Sequence, residues 1–264
     1  MESELNTYAL ITGGSSGIGK ALAIELASRG YDIAIVALPN TGQEQVRQEI
    51  KSAYNVKFKS LELNILEKGA ISQISAWVIS EQMNLQILVN NAGIGYAAGF
   101  DTLEGSFIST VIDLNIKATT LLSHAMIPFL KKRRQSYILN LSSAAAFYSM
   151  PYKSVYAASK RYVLDFSSAL REELSSFNIG VTAVCPAGVI TSPEIKERIK
   201  AAGYMARISA LEPSQVAKES VNAMIQGKAK VIPGKMAKLI SCVRFIIPPR
   251  IQRKIIAKNF KKAI

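Results

Sequence analysis

Four polar residues carry the chemistry that this sequence could do: Asn115, Ser143, Tyr156 and Lys160. Tyr156 and Lys160 are four apart in a stretch of helical periodicity, so their side chains share a face and can point into one cleft. A phenol titrates near 10, and trading protons at neutral pH needs a shift of about 2–3 units, roughly 3–4 kcal/mol, much of which a neighbouring ammonium can supply. Ser143 follows an apolar run and is placed to donate a hydrogen bond to a substrate oxygen as negative charge develops there. Ser142 is the alternative serine. A Tyr-x-x-x-Lys pair also describes an ordinary solvated helix face, so its meaning depends on the elements around it.

A second stretch, Thr12-Gly13-Gly14-Ser15-Ser16-Gly17-Ile18-Gly19, supplies that context. It follows the apolar run Tyr8-Ala9-Leu10-Ile11 and leads into Ile18, Ala21, Leu22 and Leu26 at helical spacing, the pattern of a strand, a turn and a helix. Glycines let the backbone approach a ligand and take positive φ, while the helix start offers unpaired N–H groups and a positive dipole end to a phosphate. The expected ligand is a dinucleotide pyrophosphate.

Strand-like and helical segments then alternate. Strands are predicted at 32–38, at 56–63 ending on Asn64, and at 85–89 running into Asn90-Asn91-Ala92-Gly93. Further strands fall at 137–141 and 181–185, with a short one at 230–232. Helices are predicted at 41–54, along the face of Ile71, Ile74, Trp77 and Val78, at 103–134 with a kink at Pro128, and at 154–177. Alternation requires crossover connections, hence an α/β fold: a Rossmann-like doubly wound parallel sheet of about seven strands with helices on both faces. The polar clusters all fall at carboxyl ends of strands or in the following helix, where such sheets bind ligands.

Taken in order, Thr12-Gly13-x-x-x-Gly17-x-Gly19, Asn91-Ala92-Gly93, Asn115, Ser143 and Tyr156-x-x-x-Lys160 resemble the short-chain dehydrogenase/reductase (SDR) family over residues 5–232. The resemblance implies NAD(P)(H) bound along Thr12, Gly13, Ser15, Ser16, Gly17, Ile18 and Gly19, with Asn91, Ala92 and Gly93 beside the adenosine ribose. It implies that Tyr156 is the general acid/base, that Lys160 lowers its pKa and holds the nicotinamide ribose, that Ser143 polarises the substrate oxygen, and that Asn115 keeps a water in a relay from Lys160. The family's spacing of the serine from the tyrosine favours Ser143 over Ser142. A homodimer through the two long helices is implied as well, or a tetramer unless the extended tail blocks a second interface.

Three departures bear on the cofactor. Pro186-Ala187-Gly188 stands where the family often has Pro-Gly, yet the spacing from Pro186 to Val189 and Thr191, which in the family hold the carboxamide, is kept. Asn64, next to Ile65, stands where Asp is usual near the adenine. The second strand ends Ala37-Leu38-Pro39-Asn40, with neither the acid that binds a ribose 2′-OH nor the Arg that pairs a 2′-phosphate. Without a repelling carboxylate the balance tilts to NADP(H), with NAD(H) still open and Asn40, Thr41 and a nearby basic residue as contacts.

Composition narrows the rest. Of the 264 residues, 32 are Lys or Arg and 19 are Asp or Glu, a net charge of +13. Residues 228–264 hold 11 of those basic residues and no acidic one, leaving 21 basic against 19 acidic in the first 227. Residues 1–232 therefore read as the catalytic domain, with a substrate lid at 190–212, and 233–264 as a basic amphipathic C-terminal extension. The lid mixes Ile195, Ile199, Tyr204, Met205 and Ile208 with Lys196, Arg198, Lys200 and Arg207.

The extension sets Met236, Leu239, Ile240, Val243, Ile246 and Ile247, then Ile251, Ile255, Ile256 and Phe260, among Lys and Arg that include Arg244 and Lys262. A basic amphipathic helix suits an anionic membrane surface, with packing on protein as the alternative. Nucleic acid is not expected, because no aromatic platform accompanies the charges. Met1-Glu2-Ser3-Glu4 lacks a signal pattern and no apolar run is long enough to span a bilayer, so a cytoplasmic protein, peripheral on the inner face of a membrane, is expected.

Two cysteines, Cys185 and Cys242, suggest neither a disulfide framework nor a zinc site. The single histidine, His124, reads as structural, which counts against Ser-His-Asp hydrolysis and a histidine-rich metal site. The function expected is NAD(P)(H)-dependent interconversion of a ketone and a secondary alcohol on a hydrophobic or lipid-like substrate. The alternative is a catalytically silent nucleotide-binding regulatory protein of the same fold.

Overall fold

The computed structural model describes residues 7–201, 204–243 and 247–261. The N-terminal Met1-Glu2-Ser3-Glu4 and, in the tail, Arg244, Ile246 and Lys262 lie outside the described residues. Seven parallel strands form one sheet in the order β3-β2-β1-β4-β5-β6-β7. They are β1 Tyr8–Thr12, β2 Asp32–Ala37, β3 Phe58–Glu62, β4 Leu85–Asn90, β5 Ser136–Leu141, β6 Ile179–Val184 and the two-residue β7 Lys230–Val231. The predicted doubly wound α/β fold is the one observed, with strand ends shifted by one or two residues. Strand order reverses between β1 and β4, which opens a crevice at their carboxyl ends.

Alternation along β1 divides the core. Ala9 and Ile11 face one layer with Leu22 and Leu26 of α1 (Gly17–Ala27), Val46 and Ile50 of α2 (Gln43–Ala53), and Val221 and Met224 of α9 (Pro213–Ile225). Tyr8 and Leu10 face the other, with Ile74 and Val78 of α3 (Ala70–Ser80), Leu122 and Met126 of α5 (Thr119–Leu130), and Leu170 and Leu174 of α6 (Ser154–Leu174). Central strands buried on both faces are apolar along nearly their whole length, as β1 and β2 show, with polar Thr12 and Asp32 confined to strand ends.

The predicted 103–134 helix is more elaborate than its periodicity suggested. Residues Gly105–Ile112 form α4, Asp113–Ala118 form a π-helical segment, and α5 follows, with Pro128 inside α5. A π-helical irregularity thus surrounds Asn115, and α5 runs on past Pro128 to Leu130. His124 lies exposed on α5 and takes no part in the core, which corrects the structural role expected for it. Trp77 is half-buried and packs against the edge of the second layer rather than inside it.

Short helices α7 (Pro193–Ala201) and α8 (Tyr204–Ser209) follow β6, and α10 (Lys235–Val243) and α11 (Pro249–Lys261) follow β7. Among the described residues no helix is long and apolar enough to cross a membrane.

Buried amides tie β4 and β5 to each other and to α5 and α6 beside the crevice. Asn90 Nδ2 donates to Asn140 Oδ1 at 2.8 Å and to Ser123 Oγ at 2.9 Å, and Asn140 Nδ2 donates to Ser167 Oγ at 2.9 Å. Truncating Asn140 strands two buried partners, so Asn140→Ala should destabilise the chain by about 2–4 kcal/mol. Urea unfolding, with a lowered midpoint and an unchanged slope, is the check.

Candidate active site

At the crevice the turn after β1 is locked by the segment after β4. Thr12 Oγ1 accepts hydrogen bonds from Asn91 N at 3.0 Å and Ala92 N at 3.1 Å. Asn91 Nδ2 donates to the carbonyls of Thr12 and Gly13 at 2.9 and 3.0 Å. Both amide protons of Asn91 thus hold the turn, and only Oδ1 is left for the ribose contact expected of this residue.

The turn closes because side chains are missing from it. Gly13 and Gly17 have φ of 65° and 52°, and a Cβ on Gly19 would lie 2.1 Å from the Gly13 carbonyl oxygen. Ser16 is the N-cap of α1 yet makes no side-chain capping bond, so the first-turn N–H groups are left to an anion. Ser15 Oγ is within 2.9 Å of Thr41 Oγ1, tying the glycine turn to the loop after β2. In that loop Asn40 is exposed and left-handed, with φ of 57°. The cradle fits a dinucleotide pyrophosphate.

Tyr156 and Lys160 rise from α6 against the segment after β4, near Gly95 and Gly93. Lys160 is 6% exposed, its Nζ donates to the Leu141 carbonyl at 2.8 Å, and it lies 6.0 Å from the Tyr156 ring centroid. Ser143 ends the extended segment after β5, accepts from Ala145 N at 3.1 Å and lies near enough to the Tyr156 phenol to favour its ionised form. Ser142 instead donates to the Lys160 carbonyl at 2.7 Å, a bond that steadies α6 and turns it from the phenol.

Asn115 is fully buried in the π-segment. Its Oδ1 accepts from Ile94 N at 2.9 Å, and its Nδ2 donates to the Ile94 carbonyl and to Ser159 Oγ, each at 3.0 Å. An inserted π-turn re-aims a side chain within a helix; here it aims Asn115 at the backbone after β4. A Cβ on Gly93 would meet Asn115 Oδ1 at 2.9 Å and Lys160 Nζ at 3.2 Å, so Gly93 brings these two groups to one spot.

The ionisation of the pair departs from the simple expectation. Burial raises the Tyr156 phenol above its usual range, and the nearby Ser143 hydroxyl offsets part of that rise. Burial also lowers Lys160 to about 8, against an opposing pull from Cys185. Desolvation outweighs the attraction between ammonium and phenolate on which the sequence argument relied.

The remaining predicted contacts are dispersed around the crevice. Pro186 accepts from Ala144 N at 2.8 Å, Val189 bridges to Leu211, and Thr191 lies against Gly17, where a Cβ would be 3.1 Å from its Cγ2. Asn64 Oδ1 accepts from Leu66 N at 3.1 Å, and Ile18 and Ile65 are half-buried. Sequence reasoning missed Ser159, which accepts from Asn115 and donates to the Tyr156 carbonyl at 2.8 Å, though its place just before Lys160 was a signal. It also missed Gly95, whose Cβ would touch the Tyr156 ring at 3.3 Å. No group of three or more His, Cys, Asp or Glu gathers among the described residues.

Lys160 gives the site a stability signature. Below pH 8 both folded and unfolded chains hold its proton, and folding bears the cost of burying the charge. Between about 8 and 10.4 only the unfolded chain holds it, so stability should rise with pH by about 3 kcal/mol. Above 10 the raised phenols of Tyr156 and of Tyr8, the latter at about 12, reverse the slope. Lys160→Met should flatten the rise between pH 8 and 10, measured as urea midpoints at stepped pH.

Comparison with known proteins agrees with this geometry. Residues 7–202 match the family described as short chain dehydrogenase. The chain is 31% identical over 191 residues to the very-long-chain 3-oxoacyl-CoA reductase of Bos taurus, covering 71% of this chain and 61% of that protein. It therefore spans less than two thirds of that curated relative. It is 28% identical over 267 residues to the protein named SadH in Mycobacterium tuberculosis, covering 97% and 96% of the two chains. The short-chain dehydrogenase from Sphingobium yanoikuyae, solved in complex with NADPH, is 27% identical with a TM-score of 0.77, covering 89% of this chain and 92% of that one. With the glycine turn and the Tyr156–Lys160 pair set at the switch of a seven-stranded parallel sheet, the chain belongs to the short-chain dehydrogenase family.

Proposed function

We propose that this chain is an NAD(P)(H)-dependent oxidoreductase that interconverts a ketone and a secondary alcohol on a hydrophobic, lipid-like substrate. The observation that carries the reading is the buried Tyr156 phenol, near Ser143 and on one helix face with Lys160, beside a side-chain-free phosphate cradle. Thr12, Gly13, Ser15, Ser16, Gly17, Ile18 and Gly19 would hold the pyrophosphate, with Asn40, Asn64, Ile65, Asn91, Ala92 and Gly93 along the nucleoside and Pro186, Val189 and Thr191 at the carboxamide. Bound there, a nicotinamide supplies or takes up the hydride. NADP(H) is favoured, since no carboxylate ends β2 and the similar Sphingobium protein was solved with NADPH.

The chain's own residues manage the proton. Tyr156 Oη gives its proton to the substrate oxygen, and Ser143 Oγ donates a hydrogen bond to that oxygen as charge builds. A phenol held above its usual range is protonated at neutral pH, which suits the reduction direction. Lys160 orients a ribose hydroxyl, and Asn115 fixes the backbone beside it. The intact tetrad favours this over a silent nucleotide-binding regulator.

The rest of the proposal concerns surroundings. Residues 1–232 form the catalytic domain, and α7 and α8 form the lid, where Ile199 packs near Gly188 and Tyr204 is 72% exposed. A homodimer through α4–α5 and α6 is supported by the exposed Ile112, Leu121 and Tyr162. A tetramer is less favoured with the tail in place. Residues 233–264 would rest on an anionic membrane, since α10 and α11 expose Leu239, Ile251 and Ile255 among Lys235, Arg250, Arg253, Lys254 and Lys258. At about 1 kcal/mol per basic residue near an anionic leaflet, several such charges suffice for reversible binding. Such a protein would work from the cytoplasmic face.

Tyr156→Phe should leave NADPH affinity within about twofold while lowering turnover by about 100-fold or more, read by titration and by NADPH oxidation. Against a ketone panel graded by chain length, kcat/KM should rise with hydrophobicity; a flat profile defeats the lipid reading. Replacing Arg250, Lys254 and Lys258 by Glu in the full chain should abolish co-sedimentation with anionic vesicles without changing NADPH binding.

A further inference from the structure

The helix face that presents Tyr156 and Lys160 presents a third group. Lys153, the N-cap of α6, precedes Tyr156 by three residues, and its Nζ lies 5.7 Å from the Tyr156 ring centroid. Along the helix the phenol is thus flanked by two ammonium groups with different surroundings. Lys160 is sealed in and bonded to the Leu141 carbonyl. Lys153 is half-buried, and among the described residues it meets neither a carboxylate nor a hydrogen-bond acceptor.

Its neighbours are two ring faces and a like charge. Phe260 of α11 lies 4.9 Å from Nζ, and Arg198 of α7 repels it. Burial and that repulsion hold Lys153 below the usual lysine range. Ring faces attract an ammonium and fix its place, but they do not replace the acceptors that its three N–H donors lose on leaving water. A half-buried cation lacking acceptors beside a proton-donating phenol is poised for an acceptor that arrives with the substrate.

We propose that Lys153 is a specificity-determining residue that donates a hydrogen bond to a second oxygen of the substrate, the C1 carbonyl of a 3-oxoacyl group. Lys153 Nζ lies 5.7 Å from the Tyr156 ring centroid, a separation that a substrate carrying two oxygens a few bonds apart could span from ammonium to phenol. A 3-oxoacyl group has that spacing, with its reacting carbonyl at C3 and its second oxygen two carbons away. A phosphate on a long carrier arm would lie too far from C3 to be the partner. The assignment rests on Tyr156 being the acid/base of a ketone reductase, and it explains a cation that the proton chemistry does not use.

The test compares two substrates of equal chain length in the full-length protein with NADPH: a 3-oxoacyl N-acetylcysteamine thioester and the ketone lacking the C1 carbonyl. The parent should favour the thioester, and Lys153→Met, which keeps the stem between the rings, should raise the thioester KM by about 10- to 100-fold, the range of a charge-assisted bond. Plain-ketone kinetics should change by less than about twofold, and Lys153→Arg should recover part of the thioester preference. Equal losses on both substrates would place Lys153 in the upkeep of Tyr156 or of α11 and overturn the proposal, as would a parent indifferent to the second oxygen. Binding of the two alcohol products, measured without turnover, makes the same comparison even if neither ketone is reduced, so a failed reductase reading is told apart from failed recognition.

Discussion

Withdrawing the Lys160 ammonium from water is the constraint that the surrounding structure answers. A charge at that depth must be met by fixed dipoles, and the Leu141 carbonyl at the end of β5 is directed at it. The Ser142 hydroxyl fastens the lysine's own carbonyl, and Gly93 withholds a side chain so that the backbone after β4 can pass close by. Two strand ends, those of β4 and β5, are thus committed to one cation. Its lowered proton affinity shows that they compensate only in part.

The same economy governs the buried amides. Asn90, Asn140 and Asn115 each span elements distant in sequence, and each does so with both amide protons or with donor and acceptor together. A carboxylate could not donate these bonds, and an aliphatic residue would leave buried polar partners unpaired. The glycines of the β1 turn play the complementary part, since the approach of Gly19 to the Gly13 carbonyl tolerates no added carbon.

How much of this was legible depends on the range of the interaction. Strands and helices announced themselves by period, and the glycine stretch by its place between Ile11 and Ala21. The π-segment did not, because Asn115 is set by bonds to Ile94 and Ser159 that adjacency in sequence cannot reveal, whereas Pro128 drew attention as a generic breaker. The charge balance of Tyr156 was misjudged for a related reason: spacing shows that an ammonium is near, but not how much water both groups lose. That α11 brings Phe260 to Lys153 was equally hidden, since the two are separated by over a hundred residues.

The sheet ends, on one side, in a strand of only two residues. Such a stub offers a neighbouring molecule almost no ladder to extend. On the opposite border, β3 carries Lys59, paired with Glu81, and an exposed Glu62. Edge-to-edge polymerisation is therefore discouraged at both borders, a form of protection against fibrillar aggregation.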